Sequence, residues 1–236
     1  MTVQDRYKTY LSDQRRHFDE LVTEDWETYL VKEATELWRF EVDLLMRWVR
    51  PATILDLGCG CGFHDAEMAR RPFVRHIDAI DYSVKSIEKA VSHYADRKIN
   101  YCAADFSEFQ TRTLYDLVVS FQVIEHLESP ETFLQTCAER CSAGGHVALF
   151  TVNRLRPYNR NLMRRGKSAE LEDSMHKQEF SRAELRELGR RCGLAPRRIF
   201  TYAVEKLWRS HRLGLWMGYL LPMWGTRLGA VYSKSG

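Results

Sequence analysis

Residues 54 to 62 read Ile-Leu-Asp-Leu-Gly-Cys-Gly-Cys-Gly. Ile54, Leu55 and Leu57 have the apolar character of a buried strand. Asp56 stands just ahead of a turn through which Gly58, Gly60 and Gly62 alternate. Such a turn lets the backbone approach a ligand where any Cβ would intrude. It lies between a strand pattern and a helix pattern, the context in which a glycine-rich turn marks a nucleotide-type site.

The flanking sequence extends that context. A helical period from Tyr29 to Trp48 leads to Pro51, which ends it. Strands are then expected at Thr53–Leu57, His76–Ile80, Ile99–Ala103, Leu114–Ser120 and His146–Val152. Helices fall between them: Phe63–Arg71, a helix capped by Ser83 and running to about Ala95, and one opened by Ser129-Pro130 and broken by Gly144-Gly145. Alternation at this spacing means a parallel sheet with helices on both faces. Beyond it, residues 153 to 177 are polar, basic and irregular. A capping box at Ser181–Glu184 opens a helix that ends at Gly193. Arg197–Tyr202 and Arg227–Ser233 complete a seven-stranded, mostly parallel, Rossmann-like α/β sheet whose terminal strand is antiparallel. The expected organisation is an N-terminal helical arm and cap over residues 1–50, then one domain over 51–236 with insertions at 153–177 and 205–224.

A chain of 236 residues fits one such domain, and 44% hydrophobic content supplies its core. A net charge of +3 gives no global argument for nucleic acid. The polar first thirty residues do not resemble a signal peptide, and no apolar window would span a bilayer. The six cysteines lack zinc-site spacing and are expected to be reduced thiols, so a cytoplasmic location is expected.

The acid ahead of the first glycine resembles the first motif of class I methyltransferases that use S-adenosylmethionine. Dinucleotide-binding dehydrogenases usually lack that acid and the terminal antiparallel strand. The resemblance covers about residues 50 to 152, and it implies a set of cofactor contacts. Gly58, Cys59 and Gly60 would let the backbone lie against the cofactor. Asp56 would face its ammonium end. Asp81, 23 residues after Gly58, would accept hydrogen bonds from the ribose hydroxyls, with Tyr82 against the adenine edge. Asp105 would read the adenine amine, with Phe106 as an aromatic wall. Phe121 and Gln122, at the carboxyl edge of the fourth strand, would border the cofactor. Arg39 would either reach the cofactor carboxylate or stand as a solvated helix arginine. Asp78, within the second strand, is expected to be structural.

Residues 122 to 126 read Gln-Val-Ile-Glu-His. This resembles the glutamate-x-x-glutamate-histidine stretch of two methyltransferase types. One is the ubiquinone-biosynthesis phenol O-methyltransferase, nearest in pattern; the other is the small-RNA 2′-O-methyltransferase. Gln122 replaces the first glutamate, and His176 occupies the place of a later histidine. Glu125, His126 and His176 could hold a divalent metal, although the missing carboxylate argues against one. They could instead form a hydrogen-bonded turn, or supply His126 or His176 as general base for a hydroxyl acceptor.

The first insertion carries Arg154, Arg156, Arg160, Arg164, Arg165 and Lys167, either a solvated face or an anion clamp. The second, preceded by Lys206, Arg209 and Arg212, is rich in Leu, Met, Trp and Tyr. It would roof an apolar acceptor pocket, lie on a membrane surface as a peripheral contact, or bury a homodimer face. The expectation is methyl transfer to a small or lipid-like acceptor, at a phenol or hydroxyl oxygen of a quinone precursor or natural product. An RNA 2′-O-methyltransferase and a non-catalytic S-adenosylmethionine-binding protein are the other readings. Nucleic acid is the poorer partner, because basic residues do not interleave with aromatics.

Overall fold

The computed structural model describes residues 15, 16, 19, 20, 22, 32–109, 111–204 and 213–235. The order of elements is α1 (Lys32–Trp48), β1 (Thr53–Leu57), α2 (Phe63–Ala69), β2 (His76–Asp81), α3 (Val84–Tyr94), β3 (Ile99–Ala103) and β4 (Tyr115–Phe121). A 3-10 turn (Ile124–His126) follows, then α4 (Pro130–Arg140), β5 (Cys141–Val152), α5 (Pro157–Arg164), α6 (Arg182–Arg191), β6 (Leu194–Val204), α7 (Leu213–Leu220) and β7 (Gly225–Lys234).

The seven strands form one sheet in the order β3-β2-β1-β4-β5-β7-β6. The first five pair in parallel, and β7 runs antiparallel to both β5 and β6. Alternation along each strand sends successive side chains to opposite faces. Ile54, Leu117, Val119, Phe121 and Phe150 thus meet α1, α2 and α7 on one face. Leu55, Leu57, Val118, Val147 and Leu149 meet α4 and α6 on the other. Both faces are covered, as the parallel sheet requires.

The caps act as their sequences specify. Ser83 accepts from the Ser86 N–H, Ser129 from Thr132, and Ser181 and Glu184 close a reciprocal box. Asp78 is structural, accepting from Tyr115 Oη at 2.7 Å and Asn100 Nδ2 at 2.8 Å.

Three expectations need correction. Gly144-Gly145 does not break α4, which already ends at Arg140; β5 begins at Cys141 and carries both glycines. Cys141 pairs with Tyr115, and the register shift between Tyr115 and Leu117 takes up the irregularity. Residues 153–177 are not wholly irregular, because Pro157 opens α5 at its first turn. Nor is the basic run there one solvated face. Arg156 is buried and ion-paired to buried Glu179, whereas Arg164, Arg165 and Lys167 are exposed.

Within 205–224, residues 205–212 and hence Lys206, Arg209 and Arg212 lie outside the described residues. Helix α7 packs on β6 through Gly218, where a Cβ would lie 2.5 Å from the Tyr202 carbonyl carbon. Leu213, Leu220, Leu221, Met223 and Trp224 are exposed. No helix among the described residues is long and apolar enough to cross a membrane. All six cysteines are free thiols.

Candidate active site

The glycine turn sits at the carboxyl end of β1, tied to the end of β2. The N–H groups of Gly58 and Cys59 donate to Ile80 O at 2.7 and 3.0 Å. Gly60 N–H donates to Asp81 Oδ2 at 2.8 Å, and Ser83 N–H to Asp81 Oδ1 at 2.8 Å. Asp81 is therefore a turn organiser as well as a strand-end acid. Burial pushes its carboxyl up to about 6 despite these two donors. Gly58, Gly60 and Gly62 all have positive φ. A pocket opens over this turn, lined by Trp38, Gly58, Cys59, Gly60, Cys61, Phe63, His64, Phe121 and Gln122.

Asp56 is fully buried on the face that meets α2, and fully buried Asp65 of α2 lies close enough for its charge to act on it. Among the described residues no side chain donates to either carboxyl. Burial, and then the charge of Asp65, push the Asp56 carboxyl well up, and burial pushes Asp65 to about 7. Asp65 was not singled out in the sequence, although an acid in the first turn of the helix after a glycine turn is a readable signal.

Other expected contacts take different places. Tyr82 is half-buried after Asp81. Asp105 accepts from the backbone N–H of Ser107 at 2.8 Å, and Phe106 packs edge-on to Phe133 at 5.0 Å. Neither lines the pocket at the turn. Arg39 is an exposed helix arginine outside the pocket wall: its Nε donates to Glu67 Oε1 at 3.1 Å, and its guanidinium lies over Phe63.

The sequence also gave no hint of His64. Its ring stacks on Phe121 at 3.8 Å, and its Nε2 lies 2.8 Å from Oε2 of buried Glu41. The Tyr202 hydroxyl donates to the other Glu41 oxygen.

A second constellation forms where β4 ends. Gln122 takes a left-handed backbone with φ 54°, uncommon for a residue with a Cβ, and its Nε2 is buried without a partner among the described residues. In the 3-10 turn after it, Glu125 Oε2 accepts from Thr151 Oγ1 at 2.8 Å while Oε1 has no partner among the described residues. Burial pushes Glu125 up to about 7. Its carbonyl accepts from Lys177 and Gln178 N–H, which draws residues 175–179 over the turn. His126 Nδ1 meets Met175 O at 3.2 Å, and His176 Nδ1 meets Glu179 Oε1 at 3.1 Å. Burial alone would lower His176, but Glu179 and the Glu125 charge carry it upward. One ligand atom from each of Glu125, His126 and His176 lies within 4.8 Å of the others. The three sequence candidates are thus brought together.

The pocket residues suit S-adenosylmethionine. The orphaned Gln122 amide matches an acceptor and the glycines leave the backbone bare, while the orphaned carboxyls of Asp56 and Asp65, buried outside the pocket lining on the elements that flank the turn, match a cationic ligand.

The sequence matches the methyltransferase domain family over residues 30–198. It is 38% identical to the ubiquinone biosynthesis O-methyltransferase of Caulobacter vibrioides over 106 residues, 43% of this chain and 41% of that protein. The mitochondrial ubiquinone biosynthesis O-methyltransferase of Candida albicans is 33% identical over 107 residues, 43% of this chain and 33% of that one. The aligned part is less than half of either relative. Among solved structures, the N-methyltransferase NodS of Bradyrhizobium japonicum with bound S-adenosyl-L-homocysteine has a TM-score of 0.64 at 18% identity, covering 97% of this chain and 99% of that one. The Burkholderia thailandensis 1,6-didemethyltoxoflavin-N1-methyltransferase, also with S-adenosylhomocysteine, has a TM-score of 0.68 at 16% identity, covering 100% and 92%. The match over residues 30–198 places the chain in the methyltransferase domain family, and these solved structures share its fold.

Proposed function

We propose that the chain methylates an oxygen, a phenol or hydroxyl, on a small or lipid-like acceptor of the quinone-precursor kind. The observation that carries this reading is the Glu125–His126–His176 cluster at the end of β4. S-adenosylmethionine supplies an electrophilic methyl group with a good leaving group. The protein's own tasks are to position the acceptor and take its proton. Gly58, Cys59 and Gly60 form the bare backbone floor, and Asp56 with Asp65 holds the ammonium. Asp81, Tyr82, Asp105 and Phe106 carry the nucleoside end. Phe121 and Gln122 separate the donor pocket from the acceptor side. His126 or His176 accepts the hydroxyl proton, with Met175 O and Glu179 holding their Nδ1 atoms.

A second reading rests on the same geometry. Both histidines spend Nδ1 on a protein acceptor, the pattern that orients metal-bound imidazoles. Glu125, His126 and His176 would then hold a divalent cation, which would lower the acceptor's pKa. The names of the ubiquinone-biosynthesis relatives support oxygen as the target, and the exposed apolar residues around α7 support an apolar acceptor.

Transfer from methyl-labelled S-adenosylmethionine to catechol and polyprenyl-phenol acceptors tests the proposal. Label in organic extract is expected; label in RNA alone, or on amines alone, sinks it. Dialysis against a chelator separates the two readings. Loss of turnover restored by Mg²⁺, Mn²⁺ or Zn²⁺ favours the cation, and unchanged turnover favours the histidine base.

A further inference from the structure

We propose that His64, held by Glu41 and Tyr202, receives the carboxylate at the methionyl end of the cofactor. The inference rests on the pocket at the glycine turn being the S-adenosylmethionine site.

An α-amino acid carries an ammonium and a carboxylate on one carbon, so its site needs opposite charges a few ångströms apart. Asp56 and Asp65, buried outside the pocket lining on the elements that flank the glycine turn, provide the negative side, and among the described residues no side chain donates to them. The positive side must come from the pocket wall. Among the lining residues Trp38, Gly58, Cys59, Gly60, Cys61, Phe63, His64, Phe121 and Gln122, His64 alone can carry a positive charge. Arg39, whose position in α1 first suggests this task, is engaged by Glu67. Arg70 also donates to Glu67, at 2.7 Å.

The surroundings of His64 fix its ring as a binding group would require. Phe121 stacks on it with planes 12° apart, and Trp38 packs at 5.8 Å between centroids. Glu41, 1% exposed, engages Nε2, and Tyr202, fully buried, anchors Glu41 from β6. Nδ1 has no protein partner among the described residues. An imidazolium with Glu41 on Nε2 offers its Nδ1–H to a second carboxylate, one N–H for each acid. The charge sequence then runs Glu41, His64, ligand carboxylate, ligand ammonium, Asp56–Asp65, and each neighbour pair is opposite in sign. Glu41 and Tyr202 are positioning residues that act through His64.

Decarboxylated S-adenosylmethionine keeps the sulfonium and the ammonium and lacks only the carboxylate, so it reads this contact. The experiment is titration calorimetry of the full chain with both ligands. Wild type is expected to bind S-adenosylmethionine about 10–100-fold more tightly than the decarboxylated analogue, the range of a charged hydrogen bond. His64→Leu, which keeps apolar packing on Phe121, is expected to erase that preference while the analogue binds as before. Glu41→Gln and Tyr202→Phe, which preserve shape, are expected to reduce the preference by roughly 3–10-fold and 2–3-fold. Equal weakening of both ligands in His64→Leu would mean a structural role and overturn the inference. So would an unchanged preference, or a fall in turnover with an unchanged preference, which would move His64 to the acceptor side. If wild type bound neither ligand, the cofactor site itself would be refuted.

Discussion

Asp56 and Asp65 place two fully buried carboxyl groups close enough to act on each other's charge, and among the described residues no side chain donates to either. Two like charges at this spacing in a low-dielectric site disfavour double ionisation.

Asp65 rises from an ordinary 3.8 to about 7, and Asp56 also rises. Both protons are retained on folding, so this pair weakens the ligand-free protein as pH climbs from about 4 to about 7. Asp65→Asn is expected to stabilise the ligand-free protein by roughly 2–4 kcal/mol at pH 8 and to change little at pH 4. Thermal melts at the two pH values test this; an equal effect at both would count against the dyad. The variant is also expected to bind S-adenosylmethionine less tightly.

Asp81 accepts from both Gly60 and Ser83. Asp81→Ala leaves both backbone donors unpaired, at a cost of about 2–4 kcal/mol. Urea unfolding should show that loss, and calorimetry a fall of more than roughly tenfold in cofactor affinity. Asp81→Asn, with one acceptor oxygen left, should fall between. A variant with normal stability and lost affinity would mean that the turn does not depend on Asp81.

Gly58 has φ +86°, and a Cβ there would lie 2.3 Å from Val123 Cγ2. Gly58→Ala meets both a left-handed backbone penalty and a clash, together about 2–5 kcal/mol. Val123→Ala should restore the steric part and leave the backbone part. Full rescue in the double variant would show that φ at this position is not constraining.

Glu125 stands near pH 7 through burial. If ionised Glu125 orients His126 and His176, turnover rises as pH passes through about 7, because the carboxyl is charged only above that value. Glu125→Gln is expected to lower kcat about 10²–10⁴-fold and to remove that limb from the pH–rate profile. A retained limb would assign it to another group. His176→Ala with full turnover would remove that residue from the base role.

The sheet was legible because each buried strand is a short apolar run between turn signals, and each cap is local. The acids at strand ends were legible for the same reason. Arg39 stands as an exposed helix arginine, one of its two readings, but its partner Glu67 was not legible because it lies 28 residues away on another helix. Helix α5 was obscured by its charge, since only Asn159 and Leu162 are buried on it. His64 was invisible because Glu41 and Tyr202, the residues that hold it, are 161 positions apart. The Glu125–His126–His176 grouping came through only because a short motif flagged its first two members.

Strand β7 lies between β5 and β6, although β6 precedes it in the chain. During synthesis, β6 cannot join the sheet until residues 225–234 emerge. Strands β1 to β5 can pair earlier and form the glycine turn. Tyr202, on β6, reaches Glu41 only when the last strand slots in. A nascent chain would therefore pass through a stage with its nucleotide floor built and one wall of the pocket still unanchored. Competence to hold the donor would mature only once β7 has paired with both of its neighbours.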